Sequence, residues 1–395
     1  MPHPTSRTLT AALLCMLLIA LPAMAQTFQV LHSFTGAEGM QPTAGLTPGG
    51  PGVFYGTAST GGEYDHGTVF KMTRHGSSWT LLPIYAFKSL YDGANPLSGV
   101  IIGRDGALYG TTIGFNDGQG TLFKLQPQAT PPGSPLVPWQ LTLLHTFTGA
   151  NGDGDQPVYG PLITDQAGNI YGTTQFGGAN TFFGTLWEAS PGSGGWSETV
   201  LASFDLPTNG PLSGAVMDSA GNFYGTTADG EAVFEVSPNG SGWTTTILHS
   251  FDPQSTRAYG TLIRDQLGNL FGASASGGTD GCGIVYELSP SGGGWTYQVI
   301  HTFACPGEGV YGELTLDAAG NLYGVRSSGG AHDDGQIFKM TPSNGSWTFT
   351  DLYDFNRGEG LFAYGAIVFD AQGNMYGTTE SGGQYGHGIV WELTP

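Results

Sequence analysis

"GNIYGTT" at residues 168–174 has near copies in "GNFYGTT" at 221–227 and "GNMYGTT" at 373–379. Following the aromatic-Gly pair of this motif along the chain aligns seven copies, at Tyr55, Tyr109, Tyr171, Tyr224, Phe271, Tyr323 and Tyr376, each followed by Gly, in steps of 54, 62, 53, 47, 52 and 53 residues. A period near fifty residues means an array of like structural units.

Each copy carries three further signals. Upstream is an apolar stretch ending in Asp, as in "GPLITD", "GAVMD" and "GTLIRD". Downstream is a Val-aromatic-Lys/Glu segment, such as Val69-Phe70-Lys71 and Val390-Trp391-Glu392. Then come a Trp and, eight residues on, a Phe, from Trp79/Phe87 through Trp347/Phe355. All four elements are short, rich in β-branched and aromatic residues, and bounded by Gly, Asn, Asp and Pro, which is how strands read. Four strands per unit and seven units predict an all-β fold, a seven-bladed β-propeller of four-stranded blades. We name the strands a (before Asp), b (Gly-Asn-Tyr), c (Val-Phe) and d (Trp to Phe). In strand b the aromatic is expected to fill the gap between neighbouring sheets, and the Gly to permit close approach of sheets.

The chain ends fit the same scheme. "QTFQVLHSF", residues 26–34, reads as a d strand, and the closing "GIVWELTP" as a c strand, so the amino-terminal strand is expected to complete the last blade and remove exposed edges. Residues 1–25 read as a signal peptide: Arg7, an apolar run from Ala11 to Leu21 too short to span a bilayer, and a small-x-small site ending near Ala25. The domain division is therefore 1–25 and a single propeller over 26–395, with a secreted or periplasmic product and no membrane insertion.

Composition narrows the partners. The chain has 11 Lys+Arg against 31 Asp+Glu and a formal net charge of −20, which argues against nucleic acid and anionic membranes. Charged residues are only 11%, while 67 Gly and 24 Pro supply turns and the aromatics supply core. Cys282, which begins strand c of the fifth blade, and Cys305, which follows its strand d, are expected to form a disulfide in an oxidising compartment.

The combined pattern, "GNxYGTTxxGG", then Gly-hydrophobic-aromatic-Lys/Glu, then Trp and "LHSF", resembles the bacterial GloVer repeat proteins of choice-of-anchor tandem-repeat architectures. That resemblance covers essentially all of 26–395. It implies an exported or surface-displayed bacterial protein and no established reaction. The chain closes at Pro395 without a sorting tail, which favours release over anchoring.

Candidate sites fall in the d–a and b–c connections, which share one face of a propeller. "GANGDGDQP", residues 149–157, alternates Asn151, Asp153 and Asp155 as calcium loops alternate oxygen ligands, so calcium is the candidate cofactor; a solvated acidic turn explains the same letters. His66, His332 and His387, with Asp65, Asp333 and Asp334, lie in b–c connections of blades one, six and seven and could form a His/carboxylate metal site, though such residues also suit exposed turns. The Asp of Asp-x-x-Gly-Asn (Asp165, Asp218, Asp265, Asp317, Asp370) reads as a turn device. His32, His145, His249 and His301 share a strand-d position that holds Tyr85 and Tyr353 elsewhere, which marks a packing or surface position. No nucleophile elbow, His-Glu-x-x-His or phosphate loop is present.

The functional expectation is a binding module, probed by a glycan or another exported protein and acting as a monomer. Inter-blade clefts lined with Tyr and Trp are expected to offer weak, multivalent sugar contacts. The alternatives are a polysaccharide lyase or glycosidase, with Asp153, Asp155 or Glu308 converging near the channel mouth, and a structural envelope component. The loops differ more than the strands, notably "QPQATPPGSPLVP" at 126–138 and "ADGEA" at 228–232, which leaves a single asymmetric site open.

Overall fold

The computed structural model describes residues 26–88, 92–114, 119–128, 138–157, 160–179, 182–205, 210–227, 232–252 and 257–395. Residues 1–25, most of the 126–138 loop and most of "ADGEA" lie outside them. Seven antiparallel sheets form the predicted seven-bladed propeller. Blade one shows the plan: strands a (Thr47–Gly50), b (Val53–Ala58), c (Thr68–His75) and d (Ser78–Ala86), ordered a-b-c-d from inside to outside. Ring closure is as the sequence predicts: Thr27–Ser33 pairs antiparallel with Ile389–Thr394, from Thr27 opposite Thr394 to Ser33 opposite Ile389. Blade three adds a fifth strand, Gly154–Pro157, which pairs with strand b (Ile170–Gly177) beyond strand a (Ile163–Thr164).

The repeated heptad now has a role for each letter. The Asp directly after strand a and the Asn of Gly-Asn close the a–b turn. In blade four, the Asp218 carboxylate accepts from Asn222 N and Nδ2, both at 2.9 Å, and from Tyr224 Oη at 3.1 Å. Burial alone would push this carboxyl up, but these bonds outweigh it and hold it below the usual carboxylate range. The same set recurs at Asp165, Asp317 and Asp370. Above the turn, the aromatic does fill the inter-blade gap: Tyr224 packs with Leu262, Leu270 and Tyr286 of blade five.

The following Gly differs from expectation in one respect. The close approach comes from the aromatic ring of strand c in the same blade, rather than from a neighbouring sheet. Gly172, Gly225 and Gly377 lie opposite Trp187, Phe234 and Trp391. A Cβ on these glycines would stand 2.4, 2.5 and 2.3 Å from those rings. The first Thr then ties blade to blade: Thr57 Oγ1 donates to Ser98 O at 2.9 Å, Thr173 Oγ1 to Ser213 O at 2.8 Å, and Thr378 Oγ1 closes the ring onto Ala44 O at 2.8 Å.

The fixed Trp-to-Phe spacing also has a physical cause. Eight residues along a regular strand return to the same face. Every d strand, however, carries a bulge three residues before its Phe, at Leu31, Ile84, Leu144, Leu201, Leu248, Ile300 and Leu352. One extra residue flips the alternation. Trp139 therefore packs into the gap between blades one and two, with Phe87, while Phe147 packs into the next gap, with Leu162, Ile170 and Trp187. One strand thus serves two inter-blade cores.

The predicted Cys282–Cys305 disulfide is present, with Cα atoms 5.6 Å apart. Among the described residues, no helix is long and apolar enough to cross a membrane.

Candidate functional site

The approach to strand a sets the wall of the central channel. Two residues before strand a stand Gly45, Gly99, Pro161, Gly214, Thr261 and Ala366 in six blades, and Glu313 in the sixth. Small residues here let seven blades converge while leaving a cavity of about 800 Å³, lined by residues of all seven blades. Glu313 and, directly after strand b of blade seven (Met375–Thr379), Glu380 are the acids of that lining. Burial pushes the Glu313 carboxyl up to about 7, against the pull of the Thr261 hydroxyl beside it. Burial also raises Glu380. At neutral pH the Glu313 carboxyl is therefore able to donate as well as accept.

An aromatic arc stands at the end of the channel reached by the d–a and b–c connections. Tyr259 and Tyr311 stack with centroids 5.5 Å apart and planes 5° from parallel, and Tyr364 meets Tyr311 edge-on at 5.9 Å. Phe362, 42% exposed, stacks on Tyr364 from outside. Tyr311 Oη donates to Glu308 Oε2 at 2.6 Å. The loop carrying Glu308 is anchored from beneath: Arg326, only 5% exposed, lies over the Phe303 ring at 4.7 Å and donates to Glu308 O and Ala304 O. Aromatic faces beside carboxylates and backbone carbonyls are the groups that bind sugar rings, through apolar C–H faces and hydroxyls respectively.

The residues singled out from sequence distribute differently. Asp153 turns back on its own loop, accepting from His145 Nε2 at 3.1 Å, Thr148 N at 2.7 Å and Thr148 Oγ1 at 2.8 Å. Asp155 joins the extra strand of blade three, opposite Phe176, and Asn151 takes a left-handed turn conformation with φ 58°. Asp65 and Asp333 likewise cap their own b–c loops, accepting from Gly61 N and Gly329 N, and Asp334 lies 3.7 Å from Arg357. His66, His332 and His387 belong to no cluster of three close His, Cys, Asp or Glu ligand atoms; among the described residues one such cluster exists, His145–Asp153–Glu198. Of the three acids expected at the channel mouth, Glu308 is there, bonded to Tyr311. Six of the seven strand-b aromatics are buried, with Tyr171, Tyr224 and Tyr376 8%, 5% and 1% exposed, because the rings that looked available belong to the inter-blade cores; Tyr55 is partly buried against the same kind of core.

The same repeat is what known proteins share with this chain. The profile of the Gloeobacter/Verrucomicrobia repeat matches residues 18–232 and again residues 211–395. The chain belongs to the Gloeobacter/Verrucomicrobia repeat family. No curated protein matches it. Among solved structures it is similar to the extracellular domain of a hybrid two-component system from B. thetaiotaomicron, at 15% identity and a TM-score of 0.54, over 93% of this chain and 41% of that one. It is also similar to YCF48 bound to D1 peptide, at 10% identity and a TM-score of 0.50, covering 95% and 99%. The periplasmic gluconolactonase of Pseudomonas aeruginosa matches at 14% identity and a TM-score of 0.50, covering 79% and 84%. At these identities the likeness is one of fold.

Sequence reasoning passed over the channel residues of this family member, although a signal was present. Four repeats write Tyr-Gly just before strand a: "VYGPL", "AYGTL", "VYGEL" and "AYGAI". Tyr259, Tyr311 and Tyr364 are three of them; Tyr159 is the fourth and lies outside the described residues.

Proposed function

We propose that this chain is a non-catalytic binding module for a glycan, taken at the tyrosine-lined mouth of the central channel. The observation that carries the reading is the arc of Tyr259, Tyr311 and Tyr364 set over a channel whose acids are Glu313 and Glu380. The acids stand in single blades, so the site is one asymmetric pocket rather than seven equal ones. Among the described residues no Lys, Arg or His lines the channel, which favours neutral or amino sugars over acidic polysaccharides. The disulfide and the likeness to an extracellular propeller support an exported product, for which residues 1–25 are the expected signal peptide.

One observation favours a glycosidase or lyase as the second reading. A carboxyl raised to about 7 is a general acid near neutral pH, and Glu313 shares the channel with Glu380. A glycan array with and without EDTA, followed by mass spectrometry of each hit, separates the two. Binding that leaves the glycan intact and is lost in Tyr311→Ala supports the module. Shortened or unsaturated products that vanish in Glu313→Gln establish the enzyme. Binding that ignores Tyr311→Ala overturns the assignment of the site.

A further inference from the structure

The outer rim between blades two and three departs from the repeat in a way the channel does not explain. Strand d of each blade presents one residue, two before its Phe, to the following blade. The next strand d answers with the residue two after its Trp. Three of these pairs are parallel ring stacks: His249 on Tyr297 at 3.9 Å, His301 on Phe349 at 4.4 Å, and Tyr353 on Phe28 at 4.1 Å. Others place Leu81 opposite His32, Leu141 opposite Tyr85 and Thr245 opposite Ala202 in the same scheme. Between blades two and three the partners are His145, on Trp139–Phe147, and Glu198, on Gly195–Ser203. This is the one rim pair of the seven that sets a histidine against a carboxylate.

Asp153 completes the cluster. One ligand atom each from His145, Asp153 and Glu198 lies within 4.8 Å of the others. His145 Nε2 and Asp153 Oδ1 are 3.1 Å apart, a spacing suited to two ligands of one ion. Asp153 Oδ2 is fixed by Thr148 N and Oγ1, which sets the direction of Oδ1. The Glu198 Oε1 atom is buried and has no hydrogen-bond partner. An ionisable oxygen shielded from water and left unpaired is costly, and a cation would remove that cost.

We propose that His145, Asp153 and Glu198 bind one zinc ion that clasps blades two and three. One imidazole and two carboxylates are a zinc donor set, three protein ligands with the fourth position for water, whereas a magnesium or calcium site takes oxygen alone. Thr148 is the outer partner that orients the Asp153 ligand. The fold supplies its own comparison: His32 and Glu38 form the equivalent His-carboxylate pair at 2.9 Å, with Thr35 in the place of Thr148, but Leu81 stands where the third ligand would be. Two ligands there make a latch; three at His145 make a metal site. The zinc site does not depend on the glycan reading and lies apart from the channel.

The test is zinc titration of the purified, tag-free protein after exhaustive dialysis against EDTA, followed by calorimetry and competition with a chromogenic chelator. One zinc per chain is expected, with affinity falling more than about tenfold in Glu198→Gln and in His145→Ala, since even outer-shell losses cost about 10–100-fold. Glu198→Tyr restores the ring pair of the other blades, so it should fold and melt like the parent in EDTA yet lose zinc and the zinc-induced rise in melting temperature. His32→Ala should leave zinc affinity unchanged. Absence of zinc binding by the folded parent overturns the proposal. Equal stoichiometry and affinity in the parent, Glu198→Gln and Glu198→Tyr does so as well.

Discussion

At the scale of single residues, the heptad is a set of contacts rather than a chemical motif. Gly225 is demanded by the ring of Phe234, whose Cζ would stand 2.5 Å from an added Cβ. Gly225→Ala should cost about 1–3 kcal/mol of stability through overpacking, while Gly242→Ala, with only Asn239 O at 3.9 Å, should be near neutral; chemical denaturation of both reads the difference. The turn role of Asp218 was legible in sequence because Asp and Asn bond their own backbone wherever such a turn occurs. The role of Gly225 was only half legible: the letters announced a close approach but could not say which ring approaches. Glu313 was not legible at all, since a single Glu before an apolar strand looks like any surface acid until seven blades enclose it. Its raised carboxyl fixes a sign. Folding holds it protonated where the unfolded chain would ionise it, so its penalty is absent below about 4.5 and is complete above about 7. Relative to Glu313→Gln, the parent should therefore lose melting temperature as pH rises across that window, by an amount corresponding to at most about 3 kcal/mol. A difference that is flat with pH would place the carboxylate in ordinary solvent.

At the scale of elements, strand d does the most. Its bulge sends Trp to one inter-blade core and Phe to the next, with an aliphatic residue at the bulge itself. Periodicity could show a rigid eight-residue spacing but not the bulge, because an inserted residue has no letter of its own; the contradiction between an even spacing and two separate cores becomes visible only with the register. Deleting Leu144 should return Phe147 to the wrong face. The expected result is a loss of several kcal/mol, about that of removing a buried Phe, or failure to fold, whereas Leu144→Val should cost little more than about 1 kcal/mol; thermal melts distinguish them. The d–a connections show the opposite case. "NGDGD" reads as a calcium loop, yet strand pairing takes Asp155 and the His145–Thr148 latch takes Asp153. Long-range pairing overrides the local alternation of oxygens.

At the scale of the whole molecule, the ring is closed by seven residues from the far end of the chain. Strand Thr27–Ser33 supplies the outer edge of blade seven, and Phe28 stacks on Tyr353 of blade six at 4.1 Å with planes 6° apart. Removing residues 26–34 leaves Ile389–Thr394 as an open edge next to a stripped inter-blade core. Such a protein should elute as aggregates in size-exclusion chromatography, and a peptide of sequence "TFQVLHSF" added during refolding should restore the monomer. Closure was the most legible feature of the sequence, since the phase of the repeat at both chain ends states it. Closure also creates the channel, because only a complete ring encloses Glu313 and aligns the three tyrosines at one mouth. The measurement that tests this account most directly is equilibrium titration of the best array glycan into the parent, Tyr311→Ala and Glu313→Gln proteins, with melting curves alongside. The account predicts affinity at least about tenfold weaker in Tyr311→Ala, the worth of one good ring contact, at an almost unchanged melting temperature. Equal affinity in all three proteins would contradict it and move the binding surface away from the channel.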